Sequence, residues 1–177
     1  MQIKSQGGGH MRRVDREMDK AFALEVVDKC QYGILSIIDE NQLPYGVPLS
    51  VVRDNDTIYF HSANAGKKVN AFLKNKNVCL TCVGDTNLVP ENFTTEYESA
   101  IINGSISEVM EDVEKIHGLK LICEKYASSN LGAFDEAIKK SLWRTAVFKI
   151  SIDSITGKRK KYDKFGKELK FRRETND

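Results

Sequence analysis

Hydrophobic positions recur along this chain with two different periods. Between Asp15 and Cys30, Met18, Phe22, Val26 and Cys30 repeat every four residues and lay one apolar stripe along a helix. Asp15 suits the N-cap of that helix, and Lys29 suits its last turn. Short apolar runs follow, bounded by turn residues. Tyr32 to Asp39 reads as a strand, Asp39-Glu40-Asn41-Gln42 turns the chain, and Val47 to Arg53 runs back. Asp54-Asn55-Asp56 is a second turn, with Thr57 to Ser62 after it, which predicts an antiparallel meander. Helical spacing returns after Ala65-Gly66-Lys67-Lys68, where Val69, Phe72 and Leu73 share a face. Val78 to Val83 and Ser99 to Val109 are strands. Glu111 to Ala127 is a helix with Ile116, Leu119, Cys123 and Tyr126 on one side, and Ala133 to Leu142 is another. Thr145 to Asp153 is the last strand, with Ala146, Phe148, Ile150 and Ile152 on one face. Six strands in mostly hairpin order with peripheral helices predict a mainly β (α+β) fold, a closed or partly open barrel.

Composition adds bounds. The chain has 177 residues, 41% hydrophobic and 29% charged, which fits one globular domain and excludes a disordered or fibrous chain. No apolar run is long enough to span a bilayer and no secretory leader opens the chain, so a cytoplasmic protein without membrane attachment is expected. Four cysteines in a chain of this size read as free thiols. Residues 1–10 end in Gly7-Gly8-Gly9-His10 and read as an expression linker, with the domain proper over residues 11–156. Net charge is +2, unevenly spread: residues 157–177 form a basic tail, with nine Lys/Arg against two Asp/Glu between Gly157 and Arg173. That tail reads either as a solvated end or as a contact for phosphate, cofactor or nucleic acid. No recognised nucleic-acid module surrounds it, so no nucleic-acid partner is expected.

Few segments carry chemistry. Cys79-Leu80-Thr81-Cys82 has C-x-x-C spacing, but on a strand the two thiols point to opposite faces and do not meet. No second such pair completes a metal site. Ala65-Gly66-Lys67-Lys68 sets a glycine and two ammonium groups at a helix start, where backbone N–H groups and the helix dipole attract an anion. The Walker frame is absent, and exposed lysines at a plain helix start have the same pattern. His61 sits at a strand end just upstream, and its ordinary pKa suits proton transfer near neutrality. Trp143 suits core or subunit packing, or stacking on a planar cofactor. His117 reads as structural or exposed. No serine lies in a nucleophile elbow and no carboxylates read as an acid–base pair.

Taken in order, several segments resemble a known family. Met11-Arg12-Arg13-Val14-Asp15-Arg16-Glu17-Met18 is similar to the opening of the 5-nitroimidazole-resistance (Nim) family, within the pyridoxamine 5′-phosphate oxidase-like flavin-binding split barrels. Leu43-Pro44-Tyr45-Gly46-Val47-Pro48-Leu49-Ser50, Ile58-Tyr59-Phe60-His61-Ser62-Ala63 and Gly66-Lys67-Lys68 continue the likeness. So do Leu88-Val89-Pro90-Glu91-Asn92-Phe93-Thr94-Thr95, Tyr97-Glu98-Ser99-Ala100-Ile101-Ile102-Asn103-Gly104 and Ile155-Thr156-Gly157-Lys158. The resemblance covers residues 11–160. It implies a six-stranded antiparallel split β-barrel of Greek-key type and a homodimer with FMN at its interface. FAD and then heme are the other cofactors on this fold, and no metal is expected. By the same resemblance Pro48, Leu49 and Ser50 lie along the flavin ring. His61, Ser62 and Ala63 line its ring or ribityl side, Lys67 and Lys68 hold the phosphate, and Trp143 reaches a flavin edge. His61 is then the catalytic candidate.

The implied function is a flavin-dependent oxidoreductase acting on nitroimidazoles or another small electron acceptor. Two alternatives share the fold: a non-enzymatic flavin- or heme-binding protein, and a true pyridoxamine-phosphate oxidase.

Overall fold

The computed structural model describes residues 11–171; the expected linker and the last six residues lie outside them. Strands β1 (Glu17–Met18), β2 (Gly33–Ile38), β3 (Pro44–Leu49), β4 (Val52–Asp54), β5 (Thr57–Ala63), β6 (Asn77–Val89), β7 (Thr94–Glu108) and β8 (Thr145–Lys160) form one antiparallel sheet. Helices α1 (Lys20–Lys29), α2 (Lys67–Lys74), α3 (Asp112–Tyr126) and α4 (Phe134–Ser141) lie around it. The pairing order is β3-β2-β6-β7-β8-β5-β4, with β1 on β8. Six strands were expected. The two extra come from the two-residue β1 and from a break at Ser50 and Val51 that splits one expected strand into β3 and β4.

That break shapes the molecule. β3 and β4 stand at opposite ends of the pairing path, yet only Ser50 and Val51 join them. At about 3.8 Å per residue, Leu49 and Val52 are at most about 11 Å apart, so the sheet must curl until its edges nearly meet. No ladder joins β3 to β4 among the described residues, so the barrel stays split along that seam. The turns read from sequence hold: Gln42 (φ 62°) and Asn55 (φ 53°) take the left-handed conformations that reverse the chain. Asp39 fixes the first turn by accepting the Asn41 and Leu43 N–H groups, each at 2.9 Å.

Asp15 does not cap the first helix. Its carboxylate is taken by Arg13, and Glu17–Met18 pair with Lys158 and Gly157, so helix cannot begin until Lys20. Asp19 is the N-cap, accepting Phe22 N–H at 2.8 Å. The face α1 buries is Ala23, Val26, Val27 and Cys30. It meets Leu35, Ile58, Phe60, Leu80, Ile102, Phe148 and their neighbours in one core inside the curled sheet. A second, smaller core lies outside: α3 packs Ile122, Leu119 and Tyr126 against Tyr59 and Val147. Gly104 marks a register shift in β7, where a Cβ would stand 2.2 Å from Ser151 O; only glycine permits that approach.

β8 runs to Lys160, seven residues past its expected end, because β7 continues to pair with it. The basic tail then folds back instead of trailing as a solvated end. Tyr162 and Glu168 bridge, and Phe171 N–H donates to Asp15 O at 2.9 Å. Glu168 pairs with Arg16 (2.7 Å), Arg13 (3.2 Å) and Lys170 (3.3 Å), and Asp15 with Arg13 (2.6 Å) and Lys170 (2.5 Å). Arg16 holds the Glu168 carboxyl down to about 2, and Arg13 holds Asp15 well below the usual carboxylate range. Both groups bind protons more weakly folded than unfolded. Their contribution is therefore complete above about pH 4.5 and is lost as pH falls towards about 2. The melting temperature is expected to drop in that acid window, and less so in Glu168→Gln; parallel curves would refute these ion pairs as the tail's fastening.

Candidate functional site

His61, Ser62 and Ala63 end β5, Lys67 and Lys68 open the next helix, and Pro48 and Leu49 lie on β3. β5 alternates: Ile58 and Phe60 enter the core while Tyr59 and His61 face outward, Tyr59 under α3 and His61 exposed. After Ala63 the chain turns at Asn64–Gly66 and enters α2. Gly66 has φ +127°, a conformation L side chains rarely adopt, and no atom lies within 4 Å of where its Cβ would be. It caps α2 with no side-chain hydrogen bond, so no N-cap side chain satisfies the first N–H groups of the helix. A glycine start with uncapped N–H groups is a fitting seat for a phosphate.

The two lysines differ. Lys67 Nζ pairs with Asp39 at 3.0 Å and lies 4.4 Å from the Tyr45 ring centroid, so it ties α2 to the β2–β3 turn. Lys68 has no ion pair among the described residues and its charge acts on His61. His61 is exposed as a residue. Even so, desolvation of its ring and then the Lys68 charge push its pKa below the ordinary histidine value. Both effects favour the neutral ring, which carries a proton at one nitrogen only.

Ser62 is turned the other way. It is buried, and its hydroxyl donates to Ala63 O at 2.9 Å. Ala63 pairs with Thr145, so Trp143, two residues upstream, sits at this same end. Trp143 is 78% exposed, with its indole N–H on Lys140 O at 3.2 Å, which excludes packing in this chain's own core. Pro48 pairs with Ile34 and is exposed, as is Ser50, while Leu49 packs partly against the core. The β4–β5 register pairs Val52 with Tyr59 and ends there, so Ser50 lies in the break between β3 and β4.

What fixes that corner was missed from sequence. Tyr126 Oη donates to Val51 O at 2.8 Å and accepts Val51 N–H at 3.0 Å. Lys125 Nζ donates to Val51 O at 2.9 Å and Val27 O at 3.1 Å. Tyr126 was legible only as the last apolar residue of a helix face. Its hydroxyl needed a partner, but nothing in the sequence named Val51.

The site is an open surface in a single chain. Clefts of about 460 Å³, between β2 and the β6–β7 pair, and about 500 Å³, beside β1, include none of His61, Lys68, Ser50 or Trp143. No helix among the described residues is long and apolar enough to cross a membrane.

Comparison with known proteins supports this fold. A Bacteroides thetaiotaomicron protein provisionally described as a 5-nitroimidazole antibiotic resistance protein matches with TM-score 0.67 and 27% identity, over 81% of this chain and 86% of its own. A flavocytochrome from Azotobacter vinelandii matches with TM-score 0.66 and 18% identity, over 95% and 86%. An FAD-binding protein from Mesorhizobium loti matches with TM-score 0.59 and 16% identity, over 81% and 96%. At these lower identities the last two speak for fold alone. No curated protein matches the sequence. Residues 9–159 match the profile of the pyridoxamine 5′-phosphate oxidase family, and the chain belongs to that family.

Proposed function

We propose that the protein is a flavin-dependent oxidoreductase that binds FMN and reduces a small acceptor such as a nitroimidazole. One observation carries this reading: a helix start at Gly66 with no side-chain cap, with Lys68 in its first turn just after the strand that carries the exposed His61. The nitroimidazole assignment rests on the 27%-identical Bacteroides protein, and the flavin assignment on the glycine-started α2 with Lys68 as a phosphate seat.

A bound flavin would supply the electron transfer between donor and acceptor. The chain's own residues do the rest. The α2 N–H groups and Lys68 bind phosphate, and Ser50 and Pro48 present a polar and an apolar surface to a ring. His61 offers one ring N–H to hydrogen-bond an acceptor and one ring nitrogen that can take up a proton and pass it on as the acceptor gains electrons. Because the site lies open in one chain, a second copy seated over it would exclude water, which is the role proposed for a homodimer.

Purified protein titrated with FMN is expected to take up one flavin per chain and to reoxidise it when an acceptor is added without oxygen. His61→Ala is expected to keep the flavin and lose about 10²–10⁴-fold in turnover. Full turnover in that variant with flavin bound would remove His61 from the chemistry. Flavin binding without acceptor-driven reoxidation favours the carrier reading. Turnover of pyridoxamine phosphate instead would make the protein a true oxidase of that substrate.

A further inference from the structure

α3 grips the chain at two places beside candidate residues. Near its start, Glu114 accepts the Tyr59 hydroxyl at 3.0 Å and Lys149 Nζ at 2.6 and 2.9 Å, and His117 Nε2 lies 2.9 Å from Asp54 Oδ2. Tyr59 stands two residues before His61 on β5. At its far end, the last two residues of α3, Lys125 and Tyr126, hold Val51, the neighbour of Ser50.

The backbone of Val51 is satisfied in an uncommon way. The residue is fully buried, yet it belongs to no ladder, since β3 ends at Leu49 and β4 begins at Val52. A buried N–H and C=O must find partners, and here side chains supply them instead of a neighbouring strand. Tyr126 Oη accepts the N–H at 3.0 Å and donates to the carbonyl at 2.8 Å. Lys125 Nζ adds a second donor to that carbonyl at 2.9 Å. The same ammonium donates to Val27 O at 3.1 Å, one of the last four carbonyls of α1, so the corner is tied to the core helix as well.

We propose that Tyr126 and Lys125 are positioning residues of the candidate site, holding the Ser50–Val51 link so that Ser50 meets the ring of a bound flavin. This rests on the flavin reading, in which Ser50 lies along that ring. A ladder fixes a strand as a unit, whereas these bonds fix one residue at the seam where the barrel splits. Releasing Val51 therefore loosens the corner without unpairing a strand. Ser50 then holds its place less well, and a group bound against it is less well seated.

The test uses the full chain with and without FMN. Tyr126→Phe keeps the ring that packs beside Ile122 and Leu119 and removes only the hydroxyl. In flavin-free protein, its Val51 amide is expected to exchange hydrogen roughly tenfold faster, as loss of one hydrogen bond allows. With FMN, the dissociation constant is expected to rise about tenfold, and at saturation the flavin absorption band is expected to shift. Lys125→Met, which takes one of the two donors from the Val51 carbonyl, is expected to shift the same band. Ile122→Val is the structural control: it trims a buried α3 contact away from Val51, so it should lower the melting temperature and leave the band in place. Unchanged Val51 exchange in Tyr126→Phe, an unmoved band in both clamp variants, or an equal shift in Ile122→Val would overturn the proposal alone. Wild-type protein that takes up no FMN would overturn the flavin reading and this proposal with it.

Discussion

Phe72→Ala is expected to lower stability by about 3–5 kcal/mol, read as a lower urea midpoint at unchanged slope. α2 has eight residues and cannot hold its shape alone, because helix nucleation is unfavourable at that length. Its docking rests on Val69, Ala71 and Phe72, all buried. Phe72 meets Phe148 edge-on at 5.2 Å and Phe60 at 6.2 Å between ring centroids, and Phe60 stacks on Phe148 at 5.6 Å. Truncation removes one of three mutually supporting rings and opens a cavity where α2, β5 and β8 meet. The same helix carries Lys68, so flavin affinity is expected to fall with it, and more steeply on warming. Leu73, next in sequence, is the control. It shares the apolar spacing but is 79% exposed, so Leu73→Ala is expected to stay within about 0.5 kcal/mol. Equal losses in the two variants would refute this account of α2.

Leu73 also shows where periodicity stops being informative. Spacing of three and four marks a helix face, but it cannot say how wide a strip the neighbouring sheet covers. The alternating strands were legible because one face is buried: Ala146, Phe148 and Ile150 all enter the core as their period requires. The far halves of β6 and β7 were not, since from Gly84 to Glu96 they form a hairpin that buries only Val89 and shows no apolar alternation. The split at Ser50 is invisible locally, because Val47 to Arg53 is a uniform strand sequence and Tyr126 and Lys125, far along the chain, fix the corner. The site was legible as residue types at one strand end, and β5 does deliver His61 to the mouth of α2. Side-chain direction and charge pairing were not. Ser62 turns inward through strand alternation, and the partner of Lys67 is a turn aspartate with no sequence pattern linking the two.

That asymmetry between the lysines gives the second large effect. Lys68→Ala is expected to weaken FMN binding roughly 10- to 100-fold, the loss of one charge-assisted phosphate bond worth about 1.5–3 kcal/mol. Lys67→Ala is expected to weaken it less, because that ammonium already answers a buried carboxylate; its main consequence should be a looser β2–β3 turn. The pair also separates binding from electrostatics. Lys68 pushes the His61 pKa down, so removing its charge should raise that pKa while ring desolvation keeps it below the ordinary value. An NMR titration of His61 in flavin-free protein reads this directly, with no turnover required. A His61 titration that stays put in Lys68→Ala would show that the two groups are not neighbours. An unmoved FMN affinity would take the phosphate away from the start of α2, and with it the placement of the flavin against β5.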